Sequence, residues 1–337
     1  MNNFKILGSN GNYGSKEVFN FFNETMQSTD PLFFGRIGGS DYEAIIEYFS
    51  NKKVFDDENW FASQYFKIKR FNGYFDYAGS KENFRKYLDT MIEFYKSSDH
   101  ASYCNENLVK QFDSLNFTET NTTFLPYILD GKTVIDYNFI QQITPFMQSF
   151  KSWGEGKTIL IISPLSKSLE HQFSRKDNLY TNYKFPNCEL KTYNTKITYS
   201  NGDDTKEDLR LTTDNWHEEC ILMADEISKI DFDIALLSCA SYSMYLGNFI
   251  KNKLNKKAIY IGGCLNVMFN IYGGRFGAGT AWENIYKDAG LNLKYQIDPL
   301  ENQDLVHIKS GRAKPSDGIA AYFGSRDGKY KFKKMKK

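Results

Sequence analysis

The chain has 337 residues and a formal net charge of +1; that length allows a large core in one or two domains, and that charge gives no sign of a nucleic-acid binder. The five cysteines include no C-x-x-C pair and the four histidines lie far apart, which argues against a disulfide framework and zinc-ligand spacing and for reduced thiols in the cytosol. MNNFKILGSNGNYG lacks the apolar core of a signal peptide, and no run approaches the about 18 apolar residues of a membrane span, so a soluble cytoplasmic protein is expected.

Residues 3–7 (NFKIL) read as a short strand, followed by a Gly/Asn-rich turn and a helical run from Lys16 to Met26. Leu32-Phe33-Phe34 reads as a buried strand and Arg36 to Ser40 as a Gly-containing turn. Asp41 and Glu43 then open a helix with apolar residues at Ala44, Ile45, Ile46 and Phe49. Strand, Gly-Gly turn and helix start thus bring two carboxylates and one arginine to a single joint. The same residues also read as an ordinary Ser/Asp helix cap with an acidic first turn. Aromatic residues make up 16% of the chain and crowd residues 55–77, with Trp60, Phe61, Tyr65, Phe66, Phe71, Tyr74 and Phe75. These side chains suit stacking on sugars, or the packing of a helical cap. Lys81 to Tyr95 places Phe84, Leu88, Met91 and Ile92 on one helical face. Phe124 to Leu129 reads as a strand turned by Asp130-Gly131, and Phe139 to Phe150 as a helix ending before Trp153-Gly154.

The second half is more regular. Lys157 to Ser163 (KTILIIS) is a buried strand by its continuous apolar run, followed by a loop over 164–168 and a helix from Ser168. Glu189 to Thr198 alternates like a strand, and residues 201–213 form a polar loop. Asn215 to Ile230 reads as an amphipathic helix with Ile221, Leu222, Ala224 and Ile227 inward. Asp233 to Leu237 is a buried strand, 238–241 a turn of small residues, Ser243 to Leu254 a helix, and Ala258 to Ile261 a strand ending at Gly262-Gly263. Alternating strands and helices over 157–263 predict a parallel α/β sheet with right-handed crossovers. The expected organisation is one α/β domain over 1–310, a helical insertion over 55–115, and an extension over 311–337. That extension ends in KYKFKKMKK, which suits a solvated tail or peripheral contact with an anionic membrane face.

Open parallel sheets bind ligands at the C-terminal ends of their strands. Four such ends carry small or polar residues: Arg36 with Gly38 and Gly39; Ser163 with Lys167 and Ser168; Ser238, Ala240 and Ser241; and Gly262 with Gly263. Small residues let a ligand approach the backbone, free N–H groups at helix starts suit phosphate, and Lys167 is placed to neutralise phosphate oxygens. Lys167 equally reads as an exposed surface lysine, and Ser238 and Ser241 as caps of the next helix. No G-x-G-x-x-G follows a strand, and neither G-x-x-x-x-G-K-[ST] nor G-x-S-x-G occurs, which counts against dinucleotide dehydrogenases, P-loop enzymes and serine hydrolases. Carboxylates beside phosphate-binding loops have one economical use, a divalent ion that bridges them to a diphosphate and stabilises its departure.

R-I-G-G-S-D-Y-E (36–43) resembles the N-terminal R-F-G-D-G-E motif of GT-D-type glycosyltransferases. Residues 234–263 resemble that family's late strand, G-P-T-A-type turn, helix and strand closing on D-I-G-H, and ILIISPLSKS (159–168) its middle strand and loop. The resemblance implies an α/β, Rossmann-like, mostly parallel sheet flanked by helices, carrying the aromatic-rich helical insertion. It implies a nucleotide-sugar donor, often uridine-linked, Mn2+ or Mg2+ held through Asp41 and Glu43, Arg36 on the donor side, and a glycan, lipid-linked or protein-linked hydroxyl as acceptor. The acidic pair falls two positions later after the arginine than in the family motif, and Gly263 stands where the family has histidine. His171 and His217 are the loosest candidates to supply that histidine's role, and a lone histidine is more often structural; Asp136 and Asp203 or Asp204 are the possible catalytic bases. A nucleotide- or glycan-binding module without turnover competes with the transferase reading. A Rossmann-like methyltransferase ranks behind both, because SNGNYGS (9–15) is a poor version of its glycine loop.

Overall fold

The computed structural model describes residues 4–8, 16–37, 41–103, 119–135, 143–180, 183–196, 198, 211–269 and 271. Among these residues the strands are β1 Lys5–Leu7, β2 Leu32–Ile37, β3 His100–Tyr103, β4 Thr133–Ile135, β5 Thr158–Ile162, β6 Glu189–Tyr193, β7 Ile234–Leu237 and β8 Lys257–Tyr260. They form one sheet in the order β1-β4-β3-β2-β8-β7-β5-β6, and all neighbours are parallel. The α-helices are α1 Lys16–Gln27, α2 Tyr42–Ser50, α3 Glu58–Asn72, α4 Lys81–Ser97, α5 Glu119–Leu129, α6 Ile143–Trp153, α7 Ser166–Phe173, α8 Trp216–Ser228, α9 Tyr242–Leu254 and α10 Cys264–Met268. The expected α/β, Rossmann-like architecture is present.

Alternation along each strand feeds two cores. Leu160 and Ile162 of β5 face one core, built with α2, α3, α4, α5, α8 and α9; Ile159 and Ile161 face the other, built with α1, α6, α7 and α10. Burial on both faces explains why β5 and β7 read as unbroken apolar runs. A Cβ on Gly247 would fall into the Phe33 ring, so glycine is what lets α9 lie directly on β2. Buried lysines close two helices from below. Lys132 Nζ donates to the carbonyls of Tyr95 and Lys96 and to Ser98 Oγ at the end of α4; Lys257 Nζ donates to those of Thr25, Met26 and Ser28 at the end of α1. Both place a cation at the negative pole of a helix.

Some expectations are corrected. Residues 124–129 are helix, not strand: Phe124, Leu125, Ile128 and Leu129 are buried at helical spacing, and the strand comes later, at β4. Of the residues expected inward on α8, Ala224 and Ile227 are buried, but Ile221 is 59% exposed and Leu222 only half-buried; Trp216, Cys220 and Met223 complete the inward face. Strand β2 runs on through Ile37, so Arg36 belongs to the sheet and not to a turn. Helix α7 starts at Ser166, which puts Lys167 and Ser168 in its first turn. Within 55–115 the helices α3 and α4 end at Ser97, and 100–103 returns to the sheet as β3. The aromatic residues of 55–77 are mostly packing: Tyr74 and Phe75 are buried, and Phe61 and Tyr65 meet Phe84 edge-on at 5.6 and 5.4 Å. Phe66 is an exception, 45% exposed. No helix among the described residues is long and apolar enough to cross a membrane. The 9–15 loop, most of the 201–213 loop and the 311–337 extension lie outside the described residues.

Candidate functional site

The four strand ends singled out in the sequence belong to β2, β8, β7 and β5, which are consecutive in the sheet. Residues scattered from 36 to 263 therefore share one stretch of the C-terminal edge. Helix α2, after β2, packs on one face, and α10, after β8, on the other. Adjacent parallel strands whose following segments part to opposite faces open a crevice, the usual ligand position in such sheets.

Backbone and side-chain contacts tie these ends together. Gly262 N donates to Leu237 O at 3.0 Å, and Ser238 N donates to Ile162 O at 2.9 Å. The Arg36 guanidinium lies directly over Gly262, where a Cβ would strike it, with its carbon 5.6 Å from the Tyr260 ring centroid. Gly262 has φ +66°, a left-handed conformation that also favours glycine. Ala240 adopts φ +53° in the turn after β7, a strained value for a residue with a Cβ.

Asp41 occupies the N-cap position of α2, yet its carboxylate does not cap the helix. Three other helices on this face are capped as expected: Asp57 accepts from Asn59 N at 2.8 Å, Ser80 from Asn83 N at 3.2 Å, and Asn215 from Glu218 N at 3.1 Å. The Asp41 side chain is 3% exposed and accepts from Tyr95 Oη at 3.3 Å. Burial pushes its carboxyl above the usual range, while hydrogen bonds from Asn72 and Tyr95 and the nearby Arg36 charge pull the other way. The helix-cap reading of Asp41 therefore fails. A carboxyl is held in the interior where ordinary helix chemistry does not need it.

Glu43 goes elsewhere. Its side chain is 68% exposed and ion-paired with Lys67. Two residues apart at a helix start, side chains diverge by about 200° and do not face each other. A hard divalent ion takes six or more oxygens. The described arrangement of Asp41 and Glu43 does not fit a shared site for Mn2+ or Mg2+, because one carboxylate is buried under Tyr95 and the other faces solvent. No group of three or more His, Cys, Asp or Glu suited to a metal ion is found among the described residues.

The remaining candidates divide. Ser241 Oγ donates to Asn72 O at 2.8 Å and accepts from Trp216 Nε1 at 2.9 Å, so it latches α9 to the end of α3. Ser163 Oγ accepts from Leu165 N at 3.1 Å within its own turn, and Ser168 is fully buried. Lys167 is exposed, and Ser238, Ala240 and Gly263 are half-buried along the crevice. His217 Nε2 lies 3.2 Å from Asn83 O, and His171 is exposed beside Arg175. Gly38, Gly39, Asp136, Asp203 and Asp204 lie outside the described residues.

Sequence reasoning missed Tyr95, Asn72 and Tyr260. Tyr95 only extended the apolar face of α4, and no local pattern links it to Asp41, 54 positions away. It also missed Glu219, which is 2% exposed, accepts from Thr213 Oγ1 at 2.6 Å, and is pushed upward in pKa by burial. No protein-family model, curated protein or solved structure matches the chain.

Proposed function

We propose that this chain is a glycosyltransferase that moves a sugar from a nucleotide-diphosphate donor, uridine-linked by resemblance, to a hydroxyl of a glycan, lipid-linked or protein-linked acceptor. One observation carries the reading: small and polar residues follow four neighbouring parallel strands in the sequence, with the Arg36 guanidinium held over Gly262 at their edge. A planar guanidinium pairs two-pronged with phosphate oxygens, and a Cβ-free backbone lets a diphosphate come close.

In the reaction the acceptor hydroxyl oxygen attacks the anomeric carbon. The bond from that carbon to the diphosphate breaks, the nucleoside diphosphate leaves with the electron pair, and the hydroxyl proton passes to that departing diphosphate or to water. Arg36 meets the charge that builds on the departing oxygen. Asp41 steadies the guanidinium by charge and is itself oriented by Tyr95. Asp41 and Glu43 do not converge, so the two carboxylates do not form a shared metal site.

The outward turn of Glu43 favours one competitor, a binding module that holds the nucleotide without turnover. A panel of nucleotide sugars, scored by thermal stabilisation and by release of nucleoside diphosphate, separates the two. The transferase reading expects one donor to do both, with stabilisation and release reduced together by Arg36→Gln. Stabilisation without release from any donor supports the binding module, and a panel without effect removes both.

A further inference from the structure

Ser102, in β3, is fully buried, and its Oγ has no hydrogen-bond partner among the described residues. Buried hydroxyls nearly always have one. Ser102 is the register partner of Arg36 across the β2–β3 pair. Register partners on adjacent parallel strands project to the same face, about 4.8 Å apart. Flanking residues Ala101 and Tyr103 belong to the α2 side of the sheet, whereas Phe34, two residues before Arg36, belongs to the α1 side. Ser102 and the Cβ of Arg36 therefore start from the α1 and α10 side, at the C-terminal edge, and from there the guanidinium reaches over Gly262 and Tyr260. On the other flank of β2 lies Gly262, under the same guanidinium. Asn266 of α10, on that side too, has a second buried polar atom, Oδ1, without a partner.

We propose that Ser102 is an anion-binding residue of this edge, its hydroxyl donating to one phosphate of a diphosphate whose other phosphate lies against Arg36 over Gly262. From Ser102 across Arg36 to Gly262 is two strand spacings, about 9.6 Å. That span suits two linked phosphates better than one. The orphaned Oγ then gains the acceptor it lacks. The inference rests on the transferase reading for the identity of the ligand, but the anion site itself does not.

Calorimetric titration of the full chain with inorganic pyrophosphate and with inorganic phosphate tests it, on wild type and Ser102→Ala. Pyrophosphate should bind more tightly than phosphate, and Ser102→Ala should weaken pyrophosphate about tenfold, as expected for a lost hydrogen bond to a charged group. The melting temperature without ligand should stay level or rise, since the hydroxyl has no partner to lose. Equal pyrophosphate affinity in the two proteins, no pyrophosphate binding by wild type, or a fall in stability that parallels the fall in affinity overturns the proposal. Pyrophosphate binding that depends on Ser102, in a protein that releases nucleoside diphosphate from no donor, upholds this site and removes the transferase reading. Donor turnover with pyrophosphate affinity untouched by Ser102→Ala does the reverse.

Discussion

Tyr95 donates to the Asp41 carboxylate across 3.3 Å, joining the last turns of α4 to the N-cap residue of α2. Burial raises the Asp41 carboxyl above its ordinary value. A carboxyl with a raised native pKa favours folding when protonated, and that contribution is lost as pH rises through the native pKa. Above that native pKa the Asp41 charge therefore opposes folding. Asp41→Asn keeps an acceptor for Tyr95 and removes the charge, so it should melt higher than wild type at pH 7 to 8. The gap should close near pH 4, and each kcal/mol relieved should raise the midpoint by about 2–4 °C. Thermal melts across pH check this. Donor turnover by the variant should fall, because a charge kept at a cost to stability is kept for function.

Gly262 is constrained twice, by φ +66° and by the guanidinium over it. Gly262→Ala should cost about 1–2 kcal/mol from the left-handed backbone alone. The methyl must also displace Arg36, so donor affinity should fall about tenfold or more. Urea denaturation gives the first number and titration with the donor the second.

Lys132 links stability to the site. Its ammonium closes α4 at the Tyr95 and Lys96 carbonyls, and burial pushes its pKa from 10.5 down to about 8. Between about pH 8 and 10.5 the unfolded chain holds this proton and the folded chain does not, so stability rises with pH over that window. Lys132→Met should abolish that rise. It should also cost about 1–3 kcal/mol for a buried carbonyl left unpaired. Urea midpoints of both proteins from pH 7 to 10 measure both effects, and turnover should drop as the end of α4 frays beneath Tyr95.

The fold was legible where the chain repeats a simple rule. Ile159–Ile162 within KTILIIS and Ile234–Leu237 within DFDIALL are buried on both faces, and such strands announce themselves by composition alone. Phe124 to Leu129 misled because apolar pairs four residues apart fit a helix face as well as a strand. Ile221 misled because apolarity does not say which side of α8 meets the sheet, and Trp216 and Cys220 settle that side. In the candidate site, the strand-end rule named Arg36 and Gly262, which the fold brings into contact. Asp41 pairs with Tyr95 rather than with Glu43, since Glu43 is near in sequence while Tyr95 is near in space. Ser102 left no trace in the sequence, because its interest lies in a register with Arg36 that only the folded sheet creates.

The most direct test is release of nucleoside diphosphate from the donor that best stabilises the wild-type chain, with Arg36→Gln and Arg36→Lys beside it. Wild type should show measurable release, Arg36→Gln should lose about a hundredfold or more, and Arg36→Lys should retain part, because its charge survives without the planar fork. Release that proceeds equally well in all three proteins would contradict a diphosphate held by Arg36 at the C-terminal edge of β2 and β8.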